Sequence, residues 1–325
     1  MQAQDVIGAP GDPPTGNGLT NPSDRIVARL ERLPLTSYQH GIFAIVATAW
    51  LFDSVDLASL TFVLGSIREE FGLSTRDAGL LSSMSFIGMF FGASIAGIAA
   101  DRFGRKVVFQ ISVIFWGLGS LWCSYAPDPQ SLGYARLLLG FGMGMEFPVA
   151  LALVCEIIPA LQRGRYIAIL EGFWPIGFIA AGLLSLVILP YWGWRGVFLL
   201  QAIPALFVFV IRRYVPESPR WLAERGRSVD AEKVMGEIET KVKRRIGGAE
   251  LATPRTNPIL PLANGAKNSF PLFELWSSDL ARRTLMIWTV WFFALLGYYG
   301  LTTWLGALLQ ASGHTVTKSV TYTLL

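Results

Sequence analysis

The sequence is poor in the residues that build most catalytic and metal-binding sites. Its 325 residues include two histidines and two cysteines, and charged residues make up 15% of the chain, against about 25% in a soluble domain. No histidine-rich, cysteine or Ser/His/Asp cluster is present, so we expect neither an enzyme nor a metal or cofactor site. The same shortages argue against a cytosolic enzyme, a disordered regulator and a disulfide-stapled secreted domain.

Long apolar runs fill the chain instead. Hydrophobic residues make up 52% of it, and an α-helix needs about 20 apolar residues to cross a bilayer. Seven runs, named spans one to seven, meet that need at residues 41–67, 78–100, 107–126, 131–155, 166–190, 196–211 and 284–311, and residues 319–325 begin an eighth. The sequence therefore predicts an all-α polytopic membrane protein.

The polar segments between the spans divide the chain into four parts. Residues 1–40 form a tail and pre-helix without the apolar core of a cleavable signal, and residues 41–214 hold six spans. Residues 215–283 form a loop whose stretch 228–245 places apolar residues on one helical face, which predicts an amphipathic helix. Residues 284–325 then begin a second set of spans, so the plan has two lobes.

The net charge of +4 could indicate a nucleic-acid partner, so the place of each Lys and Arg matters. Most of the 27 lie before span one or between spans two and three, four and five, or six and seven, and the others are Arg68, Arg76, Arg136, Arg195 and Lys318. Cytoplasmic segments carry the excess of Lys and Arg in membrane proteins. We therefore predict a cytoplasmic N-terminus in the plasma (inner) membrane, a lipid environment and no nucleic-acid partner.

Small residues and cysteines predict how the spans pack. The pairs Gly88/Gly92, Ala93/Gly97 and Gly140/Gly144 have the four-residue spacing that lets two helices approach closely. Cys123 and Cys155 fall at opposite ends of spans three and four. Because about a bilayer thickness separates them, they cannot form a disulfide.

Ionisable residues inside a bilayer are functional candidates, because each costs several kcal/mol at the helix centre. Asp53 and Asp56 share one face of span one, about 18 and 22 Å from its start, and Arg136 lies at a comparable depth in span four. One aspartate can be neutralised by Arg136, which leaves the other free to take and release a proton. The alternative is a purely structural ion pair between spans one and four.

Other candidates lie deeper in the spans. Glu146 and Glu171 could each carry a proton, bind substrate or hydrogen-bond across helices. Tyr298 and Tyr299 fall in the middle of span seven, where tyrosines need hydrogen-bond partners, so a cavity is expected there. Trp174 in span five is a second candidate for stacking on a substrate ring.

Four motifs in order carry a resemblance to a known family. Residues 97–106 fit the pattern G-x-x-x-D-R-x-G-R-[KR], which resembles the signature of the major facilitator superfamily between spans two and three. Residues 136–144 resemble its span-four motif, residues 156–164 the motif after span four, and residues 216–222 the segment after span six in sugar-porter-like members. Asp53 and Asp56 resemble the paired aspartates of its aromatic-acid:proton symporters, with Ser54 where a glycine is usual, and residues 144–148 are similar to nicotinate transporters.

The resemblance implies two six-helix lobes that rock around a midplane site, of which this chain holds the N-terminal lobe and the first part of a truncated second one. It also implies gating contacts at the cytoplasmic ends, formed by Asp101, Arg102, Gly104, Arg105, Lys106, Glu156, Arg163, Glu217 and Arg220.

The resemblance and the buried charges together predict a monomeric proton symporter for a small organic anion of the nicotinate or benzoate type. In that hypothesis Arg136 or the central tyrosines meet the substrate carboxylate. A sugar porter of the same superfamily is the alternative. A seven-span receptor fits poorly, because that class normally has its N-terminus outside and its retinal-binding members need a lysine in span seven, which this sequence lacks.

Overall fold

A computed structural model describes residues 22–254, 275–278, 280–315 and 318, and within these ranges the regular structure is helical. The predicted tail up to residue 21, residues 255–274 of the predicted loop and the start of an eighth span at 319–325 lie outside the described residues. The helices are α1 Pro22–Glu31, α2 Ser37–Phe71, α3 Thr75–Phe103, α4 Arg105–Tyr125, α5 Pro129–Ile157, α6 Arg163–Ala202, α7 Val208–Tyr214, α8 Pro219–Glu224, α9 Ser228–Arg245 and α10 Ala281–Ala311.

Five of the long helices are single spans, but the stretch Ala160–Tyr214 contains two. Its 55 residues would reach about 80 Å as one helix, far more than a bilayer of about 30 Å. Gly193 interrupts it with φ 64° and ψ −172°, a backbone conformation open to glycine. Tyr166 before this glycine contacts the start of α2, and Trp194 after it contacts Glu70 near the end of α2.

The chain then turns back along α2. Gln201 donates hydrogen bonds to Ser59 and to the Val55 carbonyl oxygen, about three to four helical turns before Glu70. Residues 163–192 and 194–214 are therefore two antiparallel spans, which confirms the separate spans five and six predicted from the sequence.

Glycines decide how closely α3 and α5 pack. A methyl group at Gly88 or Gly92 would overlap the carbonyl oxygens of α5, and one at Gly140 or Gly144 would overlap those of α3. The predicted close contacts of these two pairs are confirmed. The prediction for Ala93/Gly97 is wrong, since a methyl at Gly97 would meet nothing within 4 Å among the described residues.

Helices α1, α8 and α9 form a separate small core, here named the cap, at the end of the bundle where α2 begins. The predicted amphipathic helix forms α9 at its predicted bounds and buries Ala231, Met235, Ile238 and Val242 against Ile26, Leu33 and Trp221. Arg29 of α1 and Arg32, which directly follows α1, donate to Glu239 of α9 at 2.8 and 2.6 Å.

Burial alone would raise the pKa of Glu239, but the hydrogen bonds from Arg29 and Arg32 outweigh it and hold the pKa below its usual value. The cap is thus held by an apolar core and by a carboxylate that stays ionised.

Candidate functional site

The centre of the six-span bundle contains four fully buried ionisable side chains: Asp53 and Asp56 of α2, and Arg136 and Glu146 of α5. Asp56 Oδ1 lies 3.6 Å from Arg136 Nη1, and Ser120 of α4 donates a hydrogen bond to the other oxygen of Asp56. The Arg136 guanidinium also lies over the ring of Phe198, 5.0 Å from its centroid. Asp56 is therefore the ion-pair partner of Arg136.

Asp53 lies one helical turn away on the same face of α2, and it is not part of this pair. Neither of its oxygens has a hydrogen-bond partner among the described residues, although the side chain is fully buried. The charged groups that act on it are Glu146 and Asp56, both carboxylates. Glu146 itself faces Trp116 and Ser112 of α4.

The two aspartates therefore differ in what they can do. Asp56 has a cation and a hydroxyl donor to balance its charge, whereas an ionised Asp53 would face two carboxylates in a low-dielectric interior. A buried carboxylate without a partner is costly to keep charged. Uptake of a proton at Asp53 or Glu146 removes that cost, so the arrangement suits proton binding and release.

The structure does not bring Glu171 into this cluster. Its side chain lies on an exposed face of α6 and makes no hydrogen bond or ion pair within the described part of the chain. The spacing of charges along span five could not show this, because the sequence does not fix the rotation of the helix about its own axis.

A narrow cavity lies on the side of α2 next to the charged cluster. Its volume is about 20 Å³, room for about one water molecule. Trp174, Tyr298 and Tyr299, the three aromatic residues predicted to bind substrate, line it together with Ser54 and Phe86. Arg136 does not line it.

Aromatic contacts connect this cavity to the charged cluster. Trp50, one turn before Asp53, packs against Phe147 with 4.5 Å between ring centroids and against Trp174 at 6.3 Å. Phe147 directly follows Glu146 in α5. The hydroxyl of Ser54 donates to the Trp174 carbonyl oxygen at 2.6 Å, so the residue after Asp53 fixes the backbone of α6 at the cavity wall.

The predicted gating residues meet at the bundle end that carries the cap. Arg105 donates to Asp101 at 2.7 Å and lies 3.6 Å from Glu156. Glu217 accepts from the Lys106 backbone N–H at 3.1 Å. Gly104 adopts φ 102°, and its lack of a side chain matters because a methyl there would overlap the Glu217 carboxylate.

Three of the predicted gating residues have other partners. Arg163 donates to the Ile158 carbonyl oxygen at 3.1 Å and lies 3.5 Å from Glu31 of the cap. Arg220 pairs with Glu224 in its own helix at 2.9 Å. Arg102 is exposed and contacts the neighbouring ring of Phe103. The network proper therefore consists of Asp101, Gly104, Arg105, Lys106, Glu156 and Glu217.

Several residues of the site carried no usable signal in the sequence. Ser120 and Phe198, which contact Asp56 and Arg136, are a serine and a phenylalanine in apolar spans that hold many of both. Trp221 and Arg225 both donate to the Asp101 carbonyl oxygen, at 2.6 and 2.5 Å for their shortest bonds. Trp221 belongs to the motif at residues 216–222 and Arg225 follows it, but their shared target is a backbone atom that no pattern of side chains reveals.

Comparison with known proteins agrees with this geometry. Residues 42–325 match the family described as the Major Facilitator Superfamily. The chain belongs to the Major Facilitator Superfamily. It is an integral, multi-pass membrane protein of that superfamily, and its helices form the N-terminal six-span lobe together with part of the second lobe.

Two superfamily relatives from Acinetobacter baylyi show the degree of similarity. A niacin transporter, NiaP, is 37% identical over 300 residues, which cover 92% of this chain and 66% of the relative. A 4-hydroxybenzoate transporter, PcaK, is 29% identical over 295 residues, covering 90% of this chain and 64% of the relative. The chain thus spans slightly less than two thirds of the length of the superfamily members it matches.

Solved superfamily structures share the fold. A partially occluded, inward-open structure of the xylose transporter XylE from E. coli gives a TM-score of 0.56 at 23% identity, over 65% of this chain and 58% of that one. A bacterial homologue of the human lysosomal transporter Spinster, inward-facing, gives a TM-score of 0.64 at 19% identity, over 90% of this chain and 60% of that one. Both likenesses concern the fold alone.

Proposed function

We propose that the protein is a secondary transporter that carries a small aromatic or pyridine carboxylate across the membrane together with a proton. Asp53 is the proton carrier, Glu146 modulates it, and the Asp56–Arg136 pair holds α2 and α5 in register. The N-terminus and the cap lie on the cytoplasmic side of the inner membrane, as the distribution of Lys and Arg predicts.

The observation that carries the proposal is the difference between the two aspartates. Asp56 has Arg136 at 3.6 Å, whereas Asp53 is fully buried and lacks a hydrogen-bond partner among the described residues. A static ion pair needs one carboxylate, so the second one supports a role in which a proton comes and goes. Its position beside Ser54, a residue of the cavity wall, couples that proton to whatever enters the cavity.

The substrate class rests on the aromatic wall and on the relatives. Trp174, Tyr298 and Phe86 offer ring faces and one hydroxyl on the same side of α2, which suits a flat ring. Relatives include transporters of niacin, 4-hydroxybenzoate and gallate. These are carboxylates on an aromatic or pyridine ring, and the chemistry of the cavity wall fits that common shape.

The cavity must widen before it can hold such a ring, because about 20 Å³ accommodates only about one water molecule. We therefore infer that this arrangement is a closed one, in which α10 covers the wall of α2 and α3. Rocking of the second lobe, to which α10 belongs, opens the cavity. The network around Arg105 and Glu217 acts as a latch at the cytoplasmic end of the bundle.

Uptake into vesicles tests the proposal. The purified protein in liposomes is expected to accumulate labelled nicotinate or benzoate when the outside is acidic, and Asp53→Asn is expected to abolish dependence on the pH gradient. Glu69→Gln, which removes an exposed carboxylate from the same helix, serves as the matched control and should leave uptake unchanged. Uptake that ignores the pH gradient, or persists with full coupling in Asp53→Asn, would overturn proton coupling.

The sugar-porter alternative is decided in the same vesicles. Inhibition of uptake by xylose or glucose, and none by unlabelled nicotinate and benzoate, would replace the carboxylate substrate with a sugar. The fold likeness to xylose transporters does not favour that result, since it lies at 23% identity.

A further inference from the structure

A basic pocket lies where the bundle meets the cap. It is formed by Arg213 next to the end of α7, by Lys241, Arg244 and Arg245 in the last turns of α9, and by Tyr38 and Tyr214. Its volume is about 460 Å³. Four cations converge on one concave surface, which is unusual because like charges repel unless an anion balances them.

None of these four cations forms an ion pair within the described part of the chain. The acidic residues Glu232 and Glu239 of α9 point the other way, to Arg29 of α1. Lys241 instead lies over the ring of Tyr38, 5.3 Å from its centroid, and Arg213 over that of Tyr214 at 5.7 Å. The exposed carboxylate of Glu237, one turn before Lys241, lies near Tyr38 but does not line the pocket, so positive charge remains in excess there.

The pocket sits at the level of the membrane surface. Tyr38 lies in the first turn of α2 and Tyr214 is the last residue of α7, so both mark the end of a spanning segment. Tyrosines are enriched at this level of a membrane, and Tyr214 is exposed there. The apolar face of α9 is already used in the cap core, so α9 presents only its charged side here.

An apolar groove begins beside the pocket and runs along the outside of the bundle. It lies between α4 and residues 199–209, has a volume of about 610 Å³ and is lined by side chains such as Ile114, Leu118 and Leu206, with Arg212 at its end. Arg212 lines the groove, and the next residue in α7, Arg213, lines the pocket, so the two adjoin at the end of α7. An apolar groove that ends at clustered cations matches a molecule with a fatty chain and an anionic head.

We propose that the basic pocket of Arg213, Lys241, Arg244 and Arg245 binds the phosphate headgroup of an anionic phospholipid, with an acyl chain in the adjoining groove. The lipid anchors the end of α9 to the membrane surface and so fixes the cap against the bundle. The proposal is independent of the transported substrate and holds whether or not transport is proton-coupled.

Titration of the whole protein in detergent with phosphatidylglycerol tests the proposal, with lipid binding followed by native mass spectrometry. Each Lys or Arg at a membrane surface contributes about 1 kcal/mol, or about fivefold in affinity. Lys241→Gln/Arg244→Gln is therefore expected to weaken phosphatidylglycerol binding by about 30-fold. The control Lys233→Gln/Lys243→Gln removes the same charge from the exposed surface of the same helix outside the pocket, and should change it less than threefold.

Three results would overturn the proposal. The first is an equal loss of binding in the two variants, which would mean diffuse attraction to the whole cap. The second is equal binding of phosphatidylcholine, which carries no net charge. The third is displacement of the lipid by glycerol 3-phosphate at the lipid's own binding concentration, which would show that the site takes a free phosphate. Both variants alter exposed residues, and their melting temperatures confirm that each remains folded.

Discussion

Asparagine substitution at the two buried aspartates should have very unequal consequences for stability. Asp56→Asn removes the partner of a fully buried arginine, whereas Asp53→Asn removes a carboxylate that faces other carboxylates and has no partner among the described residues. Asparagine has nearly the size of aspartate, so packing changes little in either variant. The comparison therefore isolates the electrostatic role of each group.

The magnitude follows from the distance of 3.6 Å between Asp56 and Arg136. With an effective dielectric constant of about 20, two unit charges at that distance attract by about 5 kcal/mol. Breaking a buried pair on one side typically costs about 3–5 kcal/mol, since the other charge stays buried. We expect Asp56→Asn to lose that amount and Asp53→Asn to change stability by less than about 1 kcal/mol.

Thermal unfolding of the purified protein in detergent measures the difference. At about 2–4 °C per kcal/mol, Asp56→Asn should lower the melting temperature by roughly 10 °C and Asp53→Asn by less than about 4 °C. The double variant Asp56→Asn/Arg136→Gln should recover part of the loss, because no charge is then left alone. If Asp53→Asn were as destabilising as Asp56→Asn, the assignment of the arginine to Asp56 would be refuted.

Three further predictions concern packing, the cap and the latch. Gly140→Ala should destabilise the protein by about 2–4 kcal/mol in thermal unfolding, because its methyl overlaps the backbone of α3. The protection factors of the amide hydrogens at Glu239 and its neighbours should stay high from neutral pH down to about 4 and fall below that, because the lowered pKa of Glu239 keeps the ion pairs until acid protonates the carboxylate. Glu217→Ala should speed maleimide labelling of Cys155 severalfold. The substitution removes the contact between Glu217 and Lys106 and so loosens the network at the end of the bundle where Cys155 lies.

Each of these predictions has a control within the chain. Gly97→Ala, where the methyl meets open space, should be neutral or stabilising, and a loss equal to that of Gly140→Ala would contradict the packing argument. Glu239→Gln should lower the protection factors of the cap amides to values that stay constant between about pH 4 and 8, and an unchanged acid transition would point to another group. Cys123 is fully buried and should stay unlabelled, so all label reports Cys155.

The sequence alone was sufficient to locate the spans and to predict how deep Asp53, Asp56 and Arg136 lie within them. Apolar runs located seven spans because length and hydropathy suffice for that, and the three-residue spacing of Asp53 and Asp56 placed both on one face. It could not show which aspartate takes the arginine, since both face the same way. That choice depends on Ser120 and Phe198, whose positions follow from the lateral packing of α4 and α6.

The wrong predictions for Glu171 and Gly97 also arise from packing between helices. Glu171 and Gly97 lie in spanning helices at plausible depths, but the structure turns both toward exposed faces. Helix rotation is set by neighbouring helices, and the spans are apolar on nearly every side, so hydrophobic periodicity carries no information about it. By contrast, the amphipathic α9 showed its buried face plainly because water contacts its other side.

The contact between Arg29 and Glu239 joins residues 210 positions apart in the chain. At about 5–20 residues per second, a ribosome needs roughly 10–40 s to make that stretch. Arg29 and Arg32 are thus exposed cations while the first spans are being inserted, and we expect them to hold the N-terminus on its side of the membrane during that interval. Once α9 has been synthesised, the same two side chains pair with Glu239. The two arginines therefore orient the chain during membrane insertion and later stabilise the folded cap.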